Sequence, residues 1–379
     1  MIYADHAATT KLSPAARQAM LKCMEECWGN PSSIYRLGQN ASAELQKARE
    51  TIAQCLGASP KEIYFTSGGS ESDTQALLCA AYAGARIGKK HIISTFIEHP
   101  AVLNTLKQLA SEGFSVTLLP INSEGIVEVT AVASAFREDT SLVSVMFANN
   151  EIGTIQPIAE ISDLCSSRGI LFHTDAVQAA GHLPLNMKEL CIDLLTLSAH
   201  KFCGPRGIGV LYARQGTPLQ PLIFGGSQER GKRAGTENLP AIAGMAAAFR
   251  DACANMEKNF AHLTALGSHL IEELSLIPGS LLNGSRMRRL PGNVNFSFEG
   301  IDGEMLLLLL DQQGIAASLG SACASGSLNP SHVLLALGRS PELAKASLRL
   351  TLGEENTEQE VSQIISAVKE TVALLRNIS

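Results

Sequence analysis

In "LSAHKFCGPRGIGVLY" (residues 197–212), Lys201 follows an apolar run, Leu194 to Leu197. An amine at the end of a buried strand needs a reason, because an unpaired buried charge is costly. Similar groups close other apolar runs. "IEHP" places His99, "ANNEIGT" places Asn150, and "HTDAVQ" places Asp175 with Gln178 three residues on. "SGGSES" offers Gly68 and Gly69 for close backbone approach and Ser70 as a helix cap with a hydroxyl. A helix N-terminus of this kind binds phosphate through its exposed N–H groups. Each feature alone has an ordinary structural reading: an N-cap, a core histidine, a locally bonded asparagine.

Taken together the set is specific. Five strand ends carry a phosphate cradle, an imidazole, an amide, a carboxylate and an amine. Pyridoxal phosphate uses all of them. Its aldehyde needs a lysine for a Schiff base, which makes Lys201 the candidate. Its pyridine nitrogen needs a carboxylate to stay protonated, and its phosphate needs a helix end and hydroxyls. Burial and the cofactor's charge would have to lower the Lys201 pKa.

Such a site requires strands that end at one edge. The predicted strands are "EIYFTS" (62–67), "HIISTF" (91–96), "SVTLLPI" (115–121), "SLVSVMF" (141–147), "ILFHTD" (170–175), "DLLTLS" (193–198) and "GIGVLYA" (207–213). Most are apolar on both faces, as parallel strands covered by helices are. Their alternation with helical patterns predicts an α/β sandwich with ligands at the C-terminal strand ends. A long helical pattern spans about 238–275. After it come a strand (293–300), a helix ("GEMLLLLLDQQG"), a strand (347–353) and a last helix opening at Thr357, with Glu360 at capping-box spacing. This predicts a large cofactor-binding α/β domain over 13–255 and a smaller α+β domain formed by 1–12 and 256–379.

Bulk properties agree. The 379 residues are 45% apolar and only 17% charged, below the usual ~25%, which predicts a large core and a buried subunit interface. A net charge of -6 without a basic cluster argues against nucleic acid. "MIYADHAATT" lacks the basic and apolar regions of a signal peptide, and "MLLLLL" (305–310) falls short of the ~20 residues of a membrane helix. Nine cysteines then predict free thiols in a reducing cytoplasm. Cys23 and Cys27 stand four apart, but two ligands do not make a metal site.

The runs "FTSGGSES", "EHPAVL", "ANNEIGTIQPI", "FHTDAVQA", "SAHKFCGPRGIG", "RAGTEN", "GSACASGS" and "SLRLTLG" resemble, in order, the cysteine desulfurases. These are class V members of the fold-type I pyridoxal-phosphate enzymes. The resemblance spans residues 5 to 353. It implies a mostly parallel seven-stranded sheet between helices, plus the smaller α+β domain. It also implies residue roles. Lys201 holds the cofactor, Asp175 pairs with the pyridine nitrogen, and Gln178 bonds the ring's phenolic oxygen. His99 stacks on the ring and moves protons. Gly69, Ser70, Ser198 and His200 hold the phosphate, and Thr236 reaches it from a partner subunit of a homodimer. Asn150, set among the cofactor's contacts, and Arg349 clamp the substrate carboxylate, a task that suits the planar guanidinium.

Cys323 discriminates this family from aminotransferases on the same scaffold. It sits in "GSACASGSLNPSH" (320–332), where small residues suit a thiol that must reach a buried substrate and carry cargo outward. The loop resembles group I of the family. The implied reaction takes L-cysteine to L-alanine with a persulfide on Cys323. The sulfur then passes to an acceptor such as an iron–sulfur scaffold protein or a tRNA-thiolation enzyme. No intrinsic metal is expected, although Cys323 could transiently share an iron–sulfur cluster with a scaffold. Departures from the family pattern fall at His6, Asp73–Thr74, Cys203, Arg206 and Ser227. None is expected to touch a core chemical role.

Overall fold

The computed structural model describes residues 1–320 and 329–378. Its strands are β1 (Ile2–Tyr3), β2 (Ile63–Thr66), β3 (His91–Thr95), β4 (Ser115–Leu119), β5 (Thr140–Ser144), β6 (Leu171–Asp175), β7 (Leu194–Ser198), β8 (Gly209–Ala213), β9 (Ser280–Leu282), β10 (Asn293–Phe298), β11 (Ile315–Ala316) and β12 (Ser347–Thr351). Seven of them form one sheet in the order β2-β8-β7-β6-β5-β3-β4.

The direction of these strands builds the site. Strands β4, β3, β5, β6 and β7 are mutually parallel. Strand β8 runs against both β7 and β2. Two reversals restore direction, so β2 ends at the same edge as β3, β5, β6 and β7. All five predicted chemical ends therefore meet on one side, as ligand sites in open α/β sheets do. Every residue of β3, β5, β7 and β8 is buried, so their sequences lack the regular alternation of a strand with one face in water. Their side chains and the flanking helices share an apolar core that includes Ile93, Val143, Phe172, Leu195 and Val210.

A second core gathers Leu266, Leu270, Val294, Phe296, Leu306, Leu348 and Ile364. It lies between the antiparallel sheet β12-β10-β9 and the helices Met256–Leu274, Gly303–Gln312 and Glu358–Ile378. Strand β1 pairs with β11, and Ala4 accepts from the Thr351 N–H, so the first residues extend this unit. The predicted capping box is present: Thr357 Oγ1 accepts from Glu360 N, and the Glu360 carboxylate accepts from Thr357 N.

Two expectations change. The helical pattern 238–275 is two helices, Leu239–Ala254 and Met256–Leu274, broken at Asn255. There the backbone leaves the helical region and the side-chain amide donates to the Asp251 carbonyl. Asparagine favours such local bonds over the helical ladder. The three-residue spacing of Asp175 and Gln178 suits one side of a starting helix, but after Asp175 the chain forms successive turns instead. Among the described residues, no helix is long and apolar enough to cross a membrane.

Candidate active site

A cavity of about 220 Å³ opens at the converging strand ends. It is lined by Gly69, Ser70, His99, Asn150, Asp175, Gln178, Ser198, His200, Lys201 and Arg349, along with Ala7, Ala8, Asp73, Met146, Ala148 and Val177. Ten predicted residues from both structural units thus meet in one place. A larger cavity of about 750 Å³ adjoins it near Phe202 and Cys203 but shares only Lys201 with the predicted set. The smaller one has the chemistry.

At one end is the anion cradle. Helix Gly69–Ala85 starts without a side-chain cap, because its N-cap is Gly68. Ser70 lies inside the first turn rather than capping it, a correction to the sequence reading. A missing cap leaves the first N–H groups for a ligand. A Cβ at residue 69 would stand 3.0 Å from Val177 Cγ2. Glycine at 209 lets β8 pass close beneath, since a Cβ there would meet the Gly68 backbone at 2.8 Å. His200 closes this end. Burial, with Lys201 and Arg206 nearby, pushes its pKa down to about 4, so the ring is neutral. Its Nδ1 lies 3.2 Å from Thr9 Oγ1.

At the other end is Asp175, whose Oδ1 accepts from Val177 N at 2.9 Å. Burial pushes its pKa up, and His99, the Val177 N–H and Lys201 act against that. A protonated pyridine nitrogen opposite this carboxyl would add a cation that favours its charged form. His99 caps helix Pro100–Ser111, its Nδ1 accepting from Ala101 N at 3.1 Å. That bond fixes the neutral tautomer with the proton on Nε2. Lys201 sits on the 3₁₀ turn Ala199–Lys201 directly after β7. Its ammonium donates to the carbonyls of Ala7 (2.5 Å) and Ala8 (2.8 Å). Gln178 Nε2 donates to the same Ala7 carbonyl at 3.0 Å. An amine, an acid, a tautomer-fixed imidazole and an anion cradle around one cavity fit pyridoxal phosphate.

Arg349, fully buried on β12, reaches in from the smaller unit. Its guanidinium bonds Asp5 Oδ1 at 2.8 Å and the Asn150 carbonyl at 3.2 Å, and its Nε has no partner among the described residues. Asp5 escapes sequence reasoning; its only signal is an acid one residue before the "HAATT" that crosses to His200. Glu98 escapes it too. Its Oε1 accepts from Thr95 Oγ1 and Met146 N, tying the ends of β3 and β5 together beside His99. Burial pushes its pKa up to about 8.

Thr236 is exposed and does not line the cavity. Its segment is tethered to the cradle helix by Arg233, which bonds Glu71 at 2.9 Å. Cys323 lies outside the described residues. Of the departures, His6 turns its ring to the Thr351 carbonyl and packs edge-on to Tyr3, away from the cavity. Cys203 adopts a left-handed backbone (φ 61) and Arg206 bonds Thr9. Asp73 lines the cavity next to Asp175.

A family model described as Aminotransferase class-V matches residues 2–364. Over 378 residues the chain is 50% identical to "Cysteine desulfurase IscS" of Methanosarcina thermophila, covering 100% of this chain and 93% of that protein. Among solved structures, a NifS-like protein superposes with a TM-score of 0.93 at 38% identity, covering 99% of this chain and 100% of that one. SspA, solved in complex with cysteine, superposes at 0.81 with 34% identity over 94% of this chain and 100% of its own.

Proposed function

The chain belongs to the class-V aminotransferase family and, within it, to the cysteine desulfurases, and on that premise we propose how its own residues divide the work. The family is pyridoxal-phosphate dependent, and the activity is sulfur mobilisation from cysteine. The cofactor supplies an aldehyde for the substrate amine and a ring that takes up the electron pair left at Cα.

Lys201 would hold the cofactor's aldehyde and supply the base that takes the Cα proton at Nζ. Asp175 holds the ring nitrogen. His99 would lie against the ring and move protons at Nε2. Gly69, Ser70, Ser198 and His200 hold the phosphate, and Gln178 the phenolic oxygen. Arg349 and Asn150 orient the cysteine carboxylate so that its sulfur faces the incoming thiolate of Cys323. Attack by that thiolate forms the S–S bond, breaks the C–S bond, and leaves L-alanine after protonation. The convergence of Lys201, Asp175 and Arg349 on one cavity carries this reading. Feeding L-cysteine and measuring alanine and sulfide together, with and without a thiol reductant, tests it. Alanine should form in both cases and sulfide chiefly with reductant.

The clamp gives a quantitative expectation. Losing a charged partner that leaves the other charge buried typically costs ~2–5 kcal/mol, and ~1.4 kcal/mol is tenfold. Arg349→Ala should therefore lower kcat/KM for L-cysteine by roughly two orders of magnitude or more while cofactor loading stays normal. Unchanged kinetics would place Arg349 outside the site.

Thr236 is best explained by a homodimer in which it reaches the partner's phosphate site. Its exposure, and the Arg233–Glu71 bond that holds its segment to the cradle helix, support this. Light scattering at low micromolar concentration should give twice the chain mass, and an active monomer would rule out the shared site. The two apolar cores and the break at Asn255 support domains at 13–255 and at 1–12 with 256–379. The eight described cysteines are free thiols, which suits the cytoplasm. The sulfur acceptor is a protein partner, an iron–sulfur scaffold or a tRNA-thiolation enzyme.

A further inference from the structure

Asp73 lies in the second turn of helix Gly69–Ala85 and is 1% exposed. Its carboxylate, that of Asp175 and a ring nitrogen of His99 all lie within 4.8 Å of one another. Its Oδ1 has no hydrogen-bond partner among the described residues. An acid this deep needs a cation or several donors, and the groups around it supply little. His173 Nε2 is 3.6 Å away, but that ring bonds Ser144 Oγ at 2.9 Å and Thr196 Oγ1 at 3.2 Å. Burial pushes the His173 pKa down to about 3, so it carries no charge. Thr196 gives Asp73 one hydrogen bond. The Lys201 ammonium is engaged by Ala7 and Ala8. His99, within the same 4.8 Å, acts on Asp175, whose pKa it lowers, and is not among the groups that act on Asp73. Asp175 and Glu98 are acids whose charge pushes the Asp73 pKa further up, on top of its burial.

Two carboxyls buried this close do not both ionise. The ring nitrogen of the cofactor requires the charge on Asp175. The proton therefore belongs on Asp73, whose unpartnered oxygen can then donate.

We propose that Asp73 is a positioning residue: a neutral acid that turns its O–H to an Asp175 oxygen and holds Asp175 as the single carboxylate facing the cofactor's ring nitrogen. With Val177 N on one oxygen, Asp175 is then fixed from two sides. This rests on the assignment of Asp175 above.

The test uses the cofactor-loaded enzyme as wild type, Asp73→Asn, Asp73→Ala and Asp175→Asn. Asparagine places an N–H donor where the acid O–H stood and cannot ionise, so it also controls for folding. At neutral pH the infrared difference spectrum of wild type against Asp73→Asn should show a carboxylic-acid C=O band that only wild type has. Asp73→Asn should keep the wild-type pH profile of visible absorbance and the wild-type rate of cofactor release. Asp73→Ala should release cofactor about tenfold faster or more, the worth of one hydrogen bond to a charged group. No acid band, or a displaced absorbance profile in Asp73→Asn, means that Asp73 is ionised and overturns the proposal. Release from Asp73→Ala at the wild-type rate also overturns it. If Asp175→Asn changes neither cofactor affinity nor spectrum, the Asp175 assignment itself falls, and this inference with it. An effect of Asp175→Asn without the acid band sinks the Asp73 proposal alone.

Discussion

Replacing Lys201 with alanine should leave protein that binds pyridoxal phosphate only reversibly and forms no measurable alanine from L-cysteine. The expectation follows from where the lysine is held. It stands on a single 3₁₀ turn immediately after β7, so its backbone is fixed by the all-buried sheet rather than by a loop. Its Nζ is held against the carbonyls of Ala7 and Ala8, on the wall of the cavity that contains Asp175 and the cradle. Among the described residues, no other lysine lines that cavity. On the roles proposed above, removing the amine takes away two functions, the covalent tether and the base at Cα. Loss of a positioned general base alone lowers rates by roughly 10²–10⁴-fold, and losing the tether compounds it. Borohydride reduction followed by peptide mapping reads the first function directly. Wild type should carry the cofactor on the peptide containing Lys201, and the variant should carry none. A variant that still fixes cofactor within the same cavity would show that another amine serves.

Arg49 and Glu229 illustrate a part of the molecule that such experiments should leave untouched. They form a buried bidentate pair, at 2.7 and 2.6 Å, with Glu229 also accepting from Phe65 N at the start of the route into the cradle. Glu229 and Arg230 sit at positive φ, 47° and 57°. This pair is scaffold: it holds the segment leading to Arg233 and Thr236 against β2.

Much of the site is legible in the sequence because buried parallel strands betray themselves by continuous apolar runs, and whatever polar residue ends such a run is conspicuous. Lys201, Asp175, His99 and Asn150 stand out that way. Direction is legible too, since the connections between most of these strands are long enough to cross over. Features decided by tertiary contact are not. Ser70 has the composition of a cap, but the chain caps at Gly68, where the close passage of β8 keeps the backbone free of side chains. The turns after Asp175 carry no helix because Asp175 Oδ1 bonds Val177 N, a local bond that competes with the helical ladder. Glu98 and Asp73 look like ordinary surface acids in a string of residues. Only the fold shows that both are buried, with a helical position and a strand-end position coming within reach of Asp175. Periodicity gives the face of a helix, not what the opposing sheet places against it.

Cys323→Ala should bind pyridoxal phosphate, change its visible spectrum when L-cysteine arrives, and still produce almost no alanine. On the roles proposed above, cofactor binding rests on Lys201, Asp175 and the cradle, and the spectral response to L-cysteine on these with the clamp, all of which remain. Sulfur transfer needs a thiolate at the substrate, and the other cysteines are poorly placed to supply one. None of the eight described cysteines lines the cavity that holds Lys201 and Arg349. Burial pushes Cys23 and Cys165 up to about 12 and also raises Cys79 and Cys203, so at neutral pH these are thiols rather than thiolates. A thiol with so little anion is a weak nucleophile. Cys203 is the nearest in sequence to Lys201, but it opens to the adjoining larger cavity, with its backbone N–H on Thr10. Wild-type enzyme given L-cysteine without reductant should therefore gain the mass of one sulfur atom, and peptide mapping should place it on Cys323. Dithiothreitol should remove it as sulfide. Alanine formation by Cys323→Ala at a rate near wild type, or the extra sulfur mapping to Cys203, would transfer the acceptor role to another thiol. Loss of cofactor binding in the variant would instead mean that residue 323 supports the site as well as the sulfur, which a thiol serving sulfur transfer alone would not do.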